Sequence, residues 1–176
     1  YLPQDIELFA GTISENIARF RKVDAQKVIE AAQKAGVHEM ILRLQEGYDT
    51  PIGTSGTVLS GGQRQRIGLA RAIYDNPSFV VLDEPNSNLD EQGELALLKT
   101  VEELKKSGTT VVIITHRPNI LKVTNKILIM NTGKVERYAS TEEILGAVAK
   151  QNQAAQAPQR PAQIAPQQIN LSKPGS

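Results

Sequence analysis

The sequence predicts an α/β fold in which a parallel core sheet stands beside a segment of short helices. Two apolar runs of strand length, Phe79 to Leu82 and Thr110 to Thr115, are separated by an amphipathic helix over about residues 91–106. Continuous apolar runs are typical of buried parallel strands, and a helix between two such strands requires a right-handed crossover. Residues 12–74 show helical spacing of apolar residues over much of their length, which predicts a helical subdomain beside the sheet.

The helices of that subdomain are predicted from their capping residues. Thr12 and Glu15 have the spacing of a capping box, so a helix is expected to begin there. Asp24 can cap a second helix, and Gly36 is expected to end it because glycine adopts the left-handed conformation readily. A further helix is predicted to begin near Gly61 and to end at about residue 74, before an Asp-Asn-Pro run.

One face of the helix at about residues 91–106 is predicted to be buried and carries four apolar residues: Leu95, Leu98, Val101 and Leu104. Farther along the chain, Ile127 to Met130 and Val135 to Tyr138 flank a short Asn-Thr-Gly turn, which predicts a hairpin. Ser140 and Glu143 repeat the capping-box spacing before a last short helix. Residues 149–176 are rich in Gln, Ala and Pro and are predicted to form a disordered tail.

The composition is that of a globular chain with no electrostatic preference for nucleic acid. Its 176 residues are 40% hydrophobic and 22% charged, enough for one ordinary domain. The formal net charge of +1 gives no reason to expect binding to nucleic acid or to an anionic membrane surface. The sequence contains no Cys, which excludes disulfides and thiolate metal sites. No apolar run approaches the roughly 20 residues of a transmembrane helix.

A glycine-bearing loop before a helix is the first feature that points to chemistry. The run Leu59-Ser60-Gly61-Gly62-Gln63 lets the backbone approach a ligand closely, and the following helix presents free N–H groups to an anion. The hydroxyl of Ser60 adds one more donor. The alternative is a loop that only needs small residues before a helix, and the short Ser-Gly-Gly run does not decide between the two.

Two adjacent carboxylates at the end of an apolar strand are the second such feature. Asp83 and Glu84 follow the run Phe79 to Leu82 directly. A carboxylate at a strand end is a common ligand of Mg²⁺ or of its bound water. A second carboxylate beside it can polarise an attacking water. The alternative is a strand that simply meets solvent at two acidic residues.

The longer string from Leu59 to Arg66, with Ala70-Arg71-Ala72 after it, matches the signature of ABC ATPases. Over residues 1–148 the chain resembles an ABC nucleotide-binding domain. The resemblance implies a P-loop NTPase-like parallel core sheet with an inserted ABC helical subdomain at about residues 12–74. It further implies that five residues cap the γ-phosphate of an ATP held by the opposite subunit of an ABC dimer: Leu59, Ser60, Gly61, Gly62 and Gln63.

The same resemblance implies roles for other polar residues. Asp83 matches the carboxylate that binds Mg²⁺, and Glu84 matches the catalytic base. His116 matches the switch histidine, which contacts the γ-phosphate and orders the base, although an isolated His after a strand is more often a structural hydrogen-bonding residue. Gln4, within the matching segment Tyr1 to Asn16, corresponds to the glutamine that senses Mg²⁺ and links the site to the membrane domain.

The segment Asn86 to Asp90 resembles the D-loop of the family, which communicates across the dimer. Asn-Ser-Asn stands where Thr-Ser-Ala is more usual, and this variant is associated with exporters of secreted proteases. Asp90 is a candidate nucleotide-site residue and also the predicted N-cap of the helix that begins at Glu91. The two roles are compatible.

One motif of this family is absent, because the sequence contains no G-x-x-x-x-G-K-[ST] loop. The chain also begins at Tyr1 rather than Met. Together these observations predict the C-terminal part of a longer ATPase whose N-terminal P-loop portion is missing. The isolated polypeptide is then expected to be poorly stable and inactive as an ATPase. The alternative to an ATPase function is a catalytically incompetent fragment, able only to bind a partner or to lend its signature in trans.

Residues 50–56 indicate the branch of the family. Thr50, Gly53 and Gly56 match the exporter loop T-x-x-G-E-x-G, which touches the coupling helices of the membrane domain, while Thr54 replaces the usual Glu. This departure leaves the strength and mode of coupling open. With the Asn-Ser-Asn D-loop, the pattern favours the ATPase of a type I secretion exporter, similar to alkaline-protease exporters.

A type I secretion ATPase implies ATP and Mg²⁺ at the site and a set of macromolecular partners. These are a dimer partner subunit, a transmembrane domain, a periplasmic adaptor, an outer-membrane channel and an exported protein substrate. The protein would work at the cytoplasmic face of the bacterial inner membrane. A lipid or drug exporter is the alternative within the family, and a soluble DNA-repair or translation ABC ATPase is the alternative outside transport. The exporter loop and the near-neutral charge argue against the latter.

Overall fold

The computed structural model of the protein describes residues 1–53 and 58–155, which fall into two units, one up to Thr124 and one from Asn125 onward. The described residues form α-helices at α1 Ile13–Ile17, α2 Ala25–Lys34, α3 His38–Leu42, α4 Gly61–Ile73, α5 Glu91–Lys106 and α6 Thr141–Ala155. Their strands are β1 Gly11–Thr12, β2 Pro51–Ile52, β3 Phe79–Asp83, β4 Thr110–Ile114, β5 Lys126–Asn131 and β6 Lys134–Ser140. Short 3₁₀ helices cover Gly47–Asp49 and Pro118–Val123. None of the helices described combines the length and apolar composition that crossing a membrane requires.

The core sheet of the first unit is parallel, as predicted. β3 and β4 run side by side with Phe79 opposite Thr110 and Asp83 opposite Ile114. Leu2 forms a parallel bridge with Leu82, so the first residues of the chain also follow β3. Parallel strands end at the same side of a sheet, and polar residues after β3 and β4 are therefore brought together there.

The two strands are less buried than their continuous apolar runs predict. Val112 is 42% exposed and Ile114 is 51% exposed, and Phe79 at the start of β3 is exposed as well. Among the described residues β4 pairs with β3 alone. Alternate side chains of a strand lie on opposite faces of the sheet, so the face of β4 that carries Val112 and Ile114 meets solvent, and the prediction that this strand is buried was wrong.

The buried face of α5 is rotated from the predicted one. Leu97, Val101 and Leu104 are buried and Leu98 is partly buried, whereas Leu95 is 62% exposed. Leu95 lies two residues before Leu97, which is about 200° around the helix axis. The helical period was predicted correctly, but the phase that placed Leu95 in the stripe was wrong.

Capping sets the starts of α1 and α2, as predicted. Thr12 Oγ1 accepts the amide of Glu15 at 3.1 Å, and Glu15 Oε2 accepts the amide of Thr12 at 2.7 Å. Asp24 Oδ1 accepts the amide of Lys27 at 3.2 Å. Gly36, just after α2, has φ +65°, as expected of a residue that ends a helix. Both helices pack against α4, so the helical subdomain supports the helix that carries the glycine run.

Residues 47–53, which include the first part of the segment compared with the exporter loop, contain regular structure. A 3₁₀ turn precedes β2, and β2 pairs antiparallel with β1. Thr50 is buried and its hydroxyl donates to the carbonyl of Gly47 at 2.7 Å. Gly53 has φ +119°, a conformation in which a side chain would be strained. Thr54 and Gly56 lie outside the described residues.

The second unit begins with the predicted hairpin of β5 and β6, which carries a bulge at Ile129 and Met130. At the start of α6, Ser140 Oγ accepts the amide of Glu143 at 3.2 Å, while the carboxylate of Glu143 pairs with Arg137 at 2.8 Å. The helix includes residues 149–155, so it extends into the segment predicted to be disordered. Its Gln and Ala residues are good helix formers. Residues 156–176 of the predicted tail lie outside the described residues.

Candidate active site

The end of β3 places the two predicted carboxylates in sequence, and the second one has an unusual backbone. Asp83 is the last residue of β3, and Glu84 follows it with φ +44°. A non-glycine residue in this left-handed region costs of the order of 1–3 kcal/mol and persists only where its surroundings hold it. The amide of Glu84 donates to the carbonyl of Ile114 at 2.9 Å, and its carbonyl accepts from Gln65 Nε2 at 3.4 Å.

Glu84 and His116 form a pair across the ends of β3 and β4. Glu84 Oε1 lies 2.7 Å from His116 Nδ1 and also accepts the backbone amide of His116 at 3.2 Å. The carboxylate side chain is 13% exposed, whereas the imidazole is 77% exposed. The predicted base and the predicted switch histidine are therefore in contact, with the histidine on the solvent side.

The second oxygen of the Glu84 carboxylate is left without a partner. Glu84 Oε2 is buried and makes no hydrogen bond in the described part of the chain. A buried carboxylate oxygen in this state is costly unless a ligand or water satisfies it. One oxygen of Glu84 is thus fixed by His116, and the other is free to meet a ligand.

Asp83 and Gln4 approach the same end of the sheet from neighbouring chain segments. Leu2 donates to Val81 O at 2.8 Å and accepts from the amide of Asp83 at 2.9 Å, which aligns the start of the chain with β3. The phenol of Tyr1 donates to Asp83 Oδ2 at 3.2 Å. Burial and the Asp83 carboxylate raise the pKa of that phenol. Gln4 follows two residues after Leu2 and is exposed.

The glycine run begins α4 with a capping box that the sequence analysis did not identify. Ser60 Oγ accepts the amide of Gln63 at 3.2 Å, and Gln63 Oε1 accepts the amide of Ser60 at 2.8 Å. Leu59 is buried, and its carbonyl accepts from Arg64 Nη1 at 2.6 Å. Ser60 and Gln63 have the Ser-x-x-Gln spacing of a capping box, which the sequence shows and which was interpreted only as part of a phosphate-binding run.

The two glycines of the run pack against the D-loop. A Cβ atom on Gly62 would stand 2.9 Å from the carbonyl oxygen of Asn88, and one on Gly61 would stand 3.5 Å from the Cβ of Asn88. Among the described residues no hydrogen bond joins Ser60 or Gln63 to Glu84. The glycine run therefore lies against the D-loop, and the link to Glu84 passes through Gln65.

Asp90 is the N-cap of α5, as predicted, because its Oδ1 accepts the amide of Gly93 at 2.8 Å. The rest of the D-loop is held by residues without a predicted role. Asn86 is 2% exposed, and its Nδ2 donates to Glu94 Oε1 at 3.4 Å. Arg117 donates to the same Glu94 oxygen at 3.3 Å and to the carbonyl of Ser87 at 3.4 Å.

Comparison with known proteins agrees with this geometry. The profile of the ABC transporter family matches residues 1–87. The type I secretion system ATP-binding protein PrsD of Rhizobium meliloti is 48% identical over 154 residues, which cover 87% of this chain and 26% of that protein. Multidrug resistance protein 1 of Entamoeba histolytica is 41% identical over 146 residues, covering 81% of this chain and 11% of that protein.

A solved structure extends the agreement to the fold. The structure of a bacterial Atm1-family ABC exporter with ATP bound superimposes with a TM-score of 0.75 and 34% identity, covering 90% of this chain and 28% of that one. The chain thus spans about a quarter or less of the length of these relatives. The strand β3 ends at Asp83 and is followed by Glu84, and α4 begins with Gly-Gly-Gln after its N-cap Ser60. These features and the similarities to known proteins show that the chain belongs to the ABC transporter ATPase family.

Proposed function

We propose that this chain contributes the catalytic carboxylate, the switch histidine and the signature helix to the ATPase of a type I secretion exporter. The observation that carries the proposal is the 2.7 Å pair of Glu84 and His116 beside Asp83 at the end of β3. The sequence identity is 48% to a type I secretion ATP-binding protein and 41% to a multidrug resistance protein, which supports the secretion class.

Glu84 is suited to act as the general base in ATP hydrolysis. Its Oε1 is occupied by His116, so the unpartnered Oε2 is the atom that can accept a proton from an attacking water. His116 fixes the direction of the carboxylate, and its exposed ring can reach a phosphate that arrives from solvent. A positioned base of this kind contributes about a hundredfold or more to a reaction rate.

The donors near β3 fit Mg²⁺ that is bound together with a nucleotide. Asp83 supplies a carboxylate and Gln4 an amide oxygen, and Mg²⁺ prefers oxygen ligands, with one or two protein groups and the rest from phosphates and water. In the described residues no cluster of three or more acidic or histidine side chains could hold a metal ion. Bound in this way, the ion would neutralise charge that develops on the phosphate oxygens.

The start of α4 fits an anionic group from a partner subunit. The amides of Gly61 and Gly62 are in the first turn, where a helix provides no backbone acceptor. Together with the positive end of the helix dipole they can donate to phosphate oxygens. Leu59, Ser60 and Gln63 would act mainly by holding this turn, while Asp90 would hold the D-loop beside it. The ATP so contacted would be bound by the other subunit of a dimer.

The remaining partners follow from the secretion class. A transmembrane domain would couple to the segment around Thr50, and a periplasmic adaptor and an outer-membrane channel would complete the path of an exported protein. The ATPase would then work at the cytoplasmic face of the inner membrane. A strain in which the encoding gene is deleted should lose one or more secreted proteins. Unchanged secretion together with greater sensitivity to a drug would instead favour a drug exporter.

The catalytic part of the proposal is tested by steady-state ATP hydrolysis in a polypeptide that joins this sequence to a phosphate-binding loop. Glu84→Gln is expected to lower kcat by about a hundredfold or more, because an amide cannot accept the proton. Glu143→Gln is the matched control, since it removes a carboxylate that pairs with Arg137 in the second unit. Equal kcat values for both variants would overturn the assignment of Glu84.

A second candidate function, binding without ATP turnover, is favoured because the sequence contains no G-x-x-x-x-G-K-[ST] motif. The chain alone would bind a partner and lend Ser60 to Gln63 to a nucleotide held by that partner, without turning over ATP itself. ATP hydrolysis measured on this chain alone tests this candidate. Robust Mg²⁺-dependent turnover by the chain would refute it.

A further inference from the structure

Gln65 is a buried polar residue to which none of the roles above is assigned. It lies in the second turn of α4 and is 1% exposed. Its Nε2 donates to the carbonyl of Glu84 at 3.4 Å, and its Oε1 accepts from Asn88 Nδ2 at 3.3 Å. The donor end and the acceptor end of one amide thus join the signature helix to the catalytic base and to the D-loop. Because both ends are engaged, the orientation of the amide is fixed.

The contact with Glu84 falls on a residue that needs support. The φ of +44° at Glu84 is maintained by bonds on both sides of its Cα. The amide donates to Ile114, and the carbonyl accepts from the Ser87 amide at 3.1 Å and from Gln65. Without Gln65 the amide bond to Ile114, the His116 contact and the bond from the Ser87 amide would remain, so the carbonyl would lose its only hydrogen-bond partner from α4 among the described residues. The carbonyl would then be held by the Ser87 amide alone and would follow that residue of the D-loop, and the direction of the carboxylate would change with it.

Asn88 gives this chain a contact that the more usual Ala of the D-loop could not make. Its Nδ2 donates to Gln65 and also to Ser87 Oγ at 3.2 Å, and its backbone carbonyl oxygen lies 2.9 Å from the position that a Cβ of Gly62 would take. The Asn88 side chain is exposed apart from these contacts. Asn88 therefore links the D-loop directly to the amide of Gln65.

We propose that Gln65 is a positioning residue for Glu84 and that Asn88 orients it, so that the place of the D-loop sets the alignment of the catalytic base. The inference rests on the proposed role of Glu84. It predicts a loss of kcat without a loss of ATP affinity, because neither Gln65 nor Asn88 is expected to touch the nucleotide. It also predicts that the two residues act as one unit.

The kinetic test uses Asn88→Ala, Gln65→Met and the double variant. Each is made in the polypeptide that joins this sequence to a phosphate-binding loop. Asn88→Ala is expected to lower kcat by about threefold to tenfold with KM for ATP unchanged, as for interactions that matter only in the transition state. Gln65→Met is expected to lower kcat by about tenfold, and the double variant by no more than Gln65→Met alone. Gln26→Met, on the exposed face of α2, is the control. If the two substitutions lower kcat by factors that multiply in the double variant, or if they raise KM with a normal kcat, the proposal is overturned.

A second measurement does not depend on turnover. Amide hydrogen exchange of this chain should show the amide of Glu84 exchanging several-fold faster in Gln65→Met than in the unchanged protein, with a smaller rise in Asn88→Ala. Unchanged exchange at Glu84 in Gln65→Met would refute the positioning role even if Glu84 is the base. Faster exchange together with no effect of Glu84→Gln on ATP hydrolysis would refute the proposed function and leave the contact established.

Discussion

Arg19 joins the turn after α1 to the end of α4, and replacing it with Lys tests how α4 is anchored. The guanidinium donates to the carbonyls of Arg71, Ala72 and Tyr74 at 2.9, 3.1 and 3.1 Å. These are carbonyls in the last turn, which lack partners within the helix. Arg19 itself has φ +57°, so the backbone is strained to place this side chain.

The Arg19→Lys variant keeps the charge and the backbone strain and removes only the planar fork. A Lys ammonium still interacts with the negative end of the helix dipole, but as a point charge it can hold about one of the three carbonyls. Two hydrogen bonds are then lost at about 0.5–1.5 kcal/mol each, so the expected loss is about 1–3 kcal/mol in the free energy of unfolding.

Urea unfolding measures this loss as a lower midpoint with an unchanged slope. Arg21→Lys is the matched control, because Arg21 is two residues away, is exposed and makes no side-chain hydrogen bond in the described part of the chain. If Arg19→Lys is as stable as Arg21→Lys to within about 0.5 kcal/mol, the three contacts do not stabilise α4 and the reasoning fails.

Three further predictions concern the same unit. Ile17→Ala empties a fully buried position and should lower stability by about 2–5 kcal/mol in thermal denaturation, and a loss below about 1 kcal/mol would contradict its place in the core. Burial, with a smaller effect of Glu39, raises the pKa of Tyr48 from 10.0 to about 12, so the neutral phenol favours the folded state. The contribution of Tyr48 to the free energy of unfolding is complete below pH 10.0 and is lost as the pH rises through about 12. Absorbance of the phenolate follows the ionisation, and Tyr48→Phe should not show this loss of stability. Lys27 lowers the pKa of Asp75, so Lys27→Ala should raise it toward its ordinary value in an NMR titration, and an unchanged value would refute the pair.

Much of the fold could be read from local sequence signals. The capping residues Thr12, Glu15 and Asp24 act within four residues along the chain, so their bonds depend little on the rest of the structure. The parallel pairing of β3 with β4 followed from two apolar runs separated by one helix. The contact of Glu84 with His116 followed from parallel strands that end side by side, together with the resemblance to a family.

The errors arose where packing decides the outcome. The burial of β4 depends on what covers each face of the sheet, which a run of apolar residues does not reveal. The phase of α5 depends on which side faces the sheet, and a helix with many Leu residues allows more than one choice, as Leu95 shows. The roles of Gln65 and Arg117 rest on contacts between residues 19 to 30 positions apart in sequence, for which no local pattern exists.

The central claim is that Glu84 performs the proton abstraction in ATP hydrolysis while other groups bind the nucleotide. A single-turnover experiment tests it most directly: the phosphate-loop-containing polypeptide is loaded with ATP and Mg²⁺, and the bound nucleotide is recovered and identified. The Glu84→Gln variant should hold ATP unhydrolysed, with a rate about a hundredfold or more below that of Glu143→Gln, which should release ADP normally. Recovery of ADP from Glu84→Gln at the rate of the control would contradict the claim.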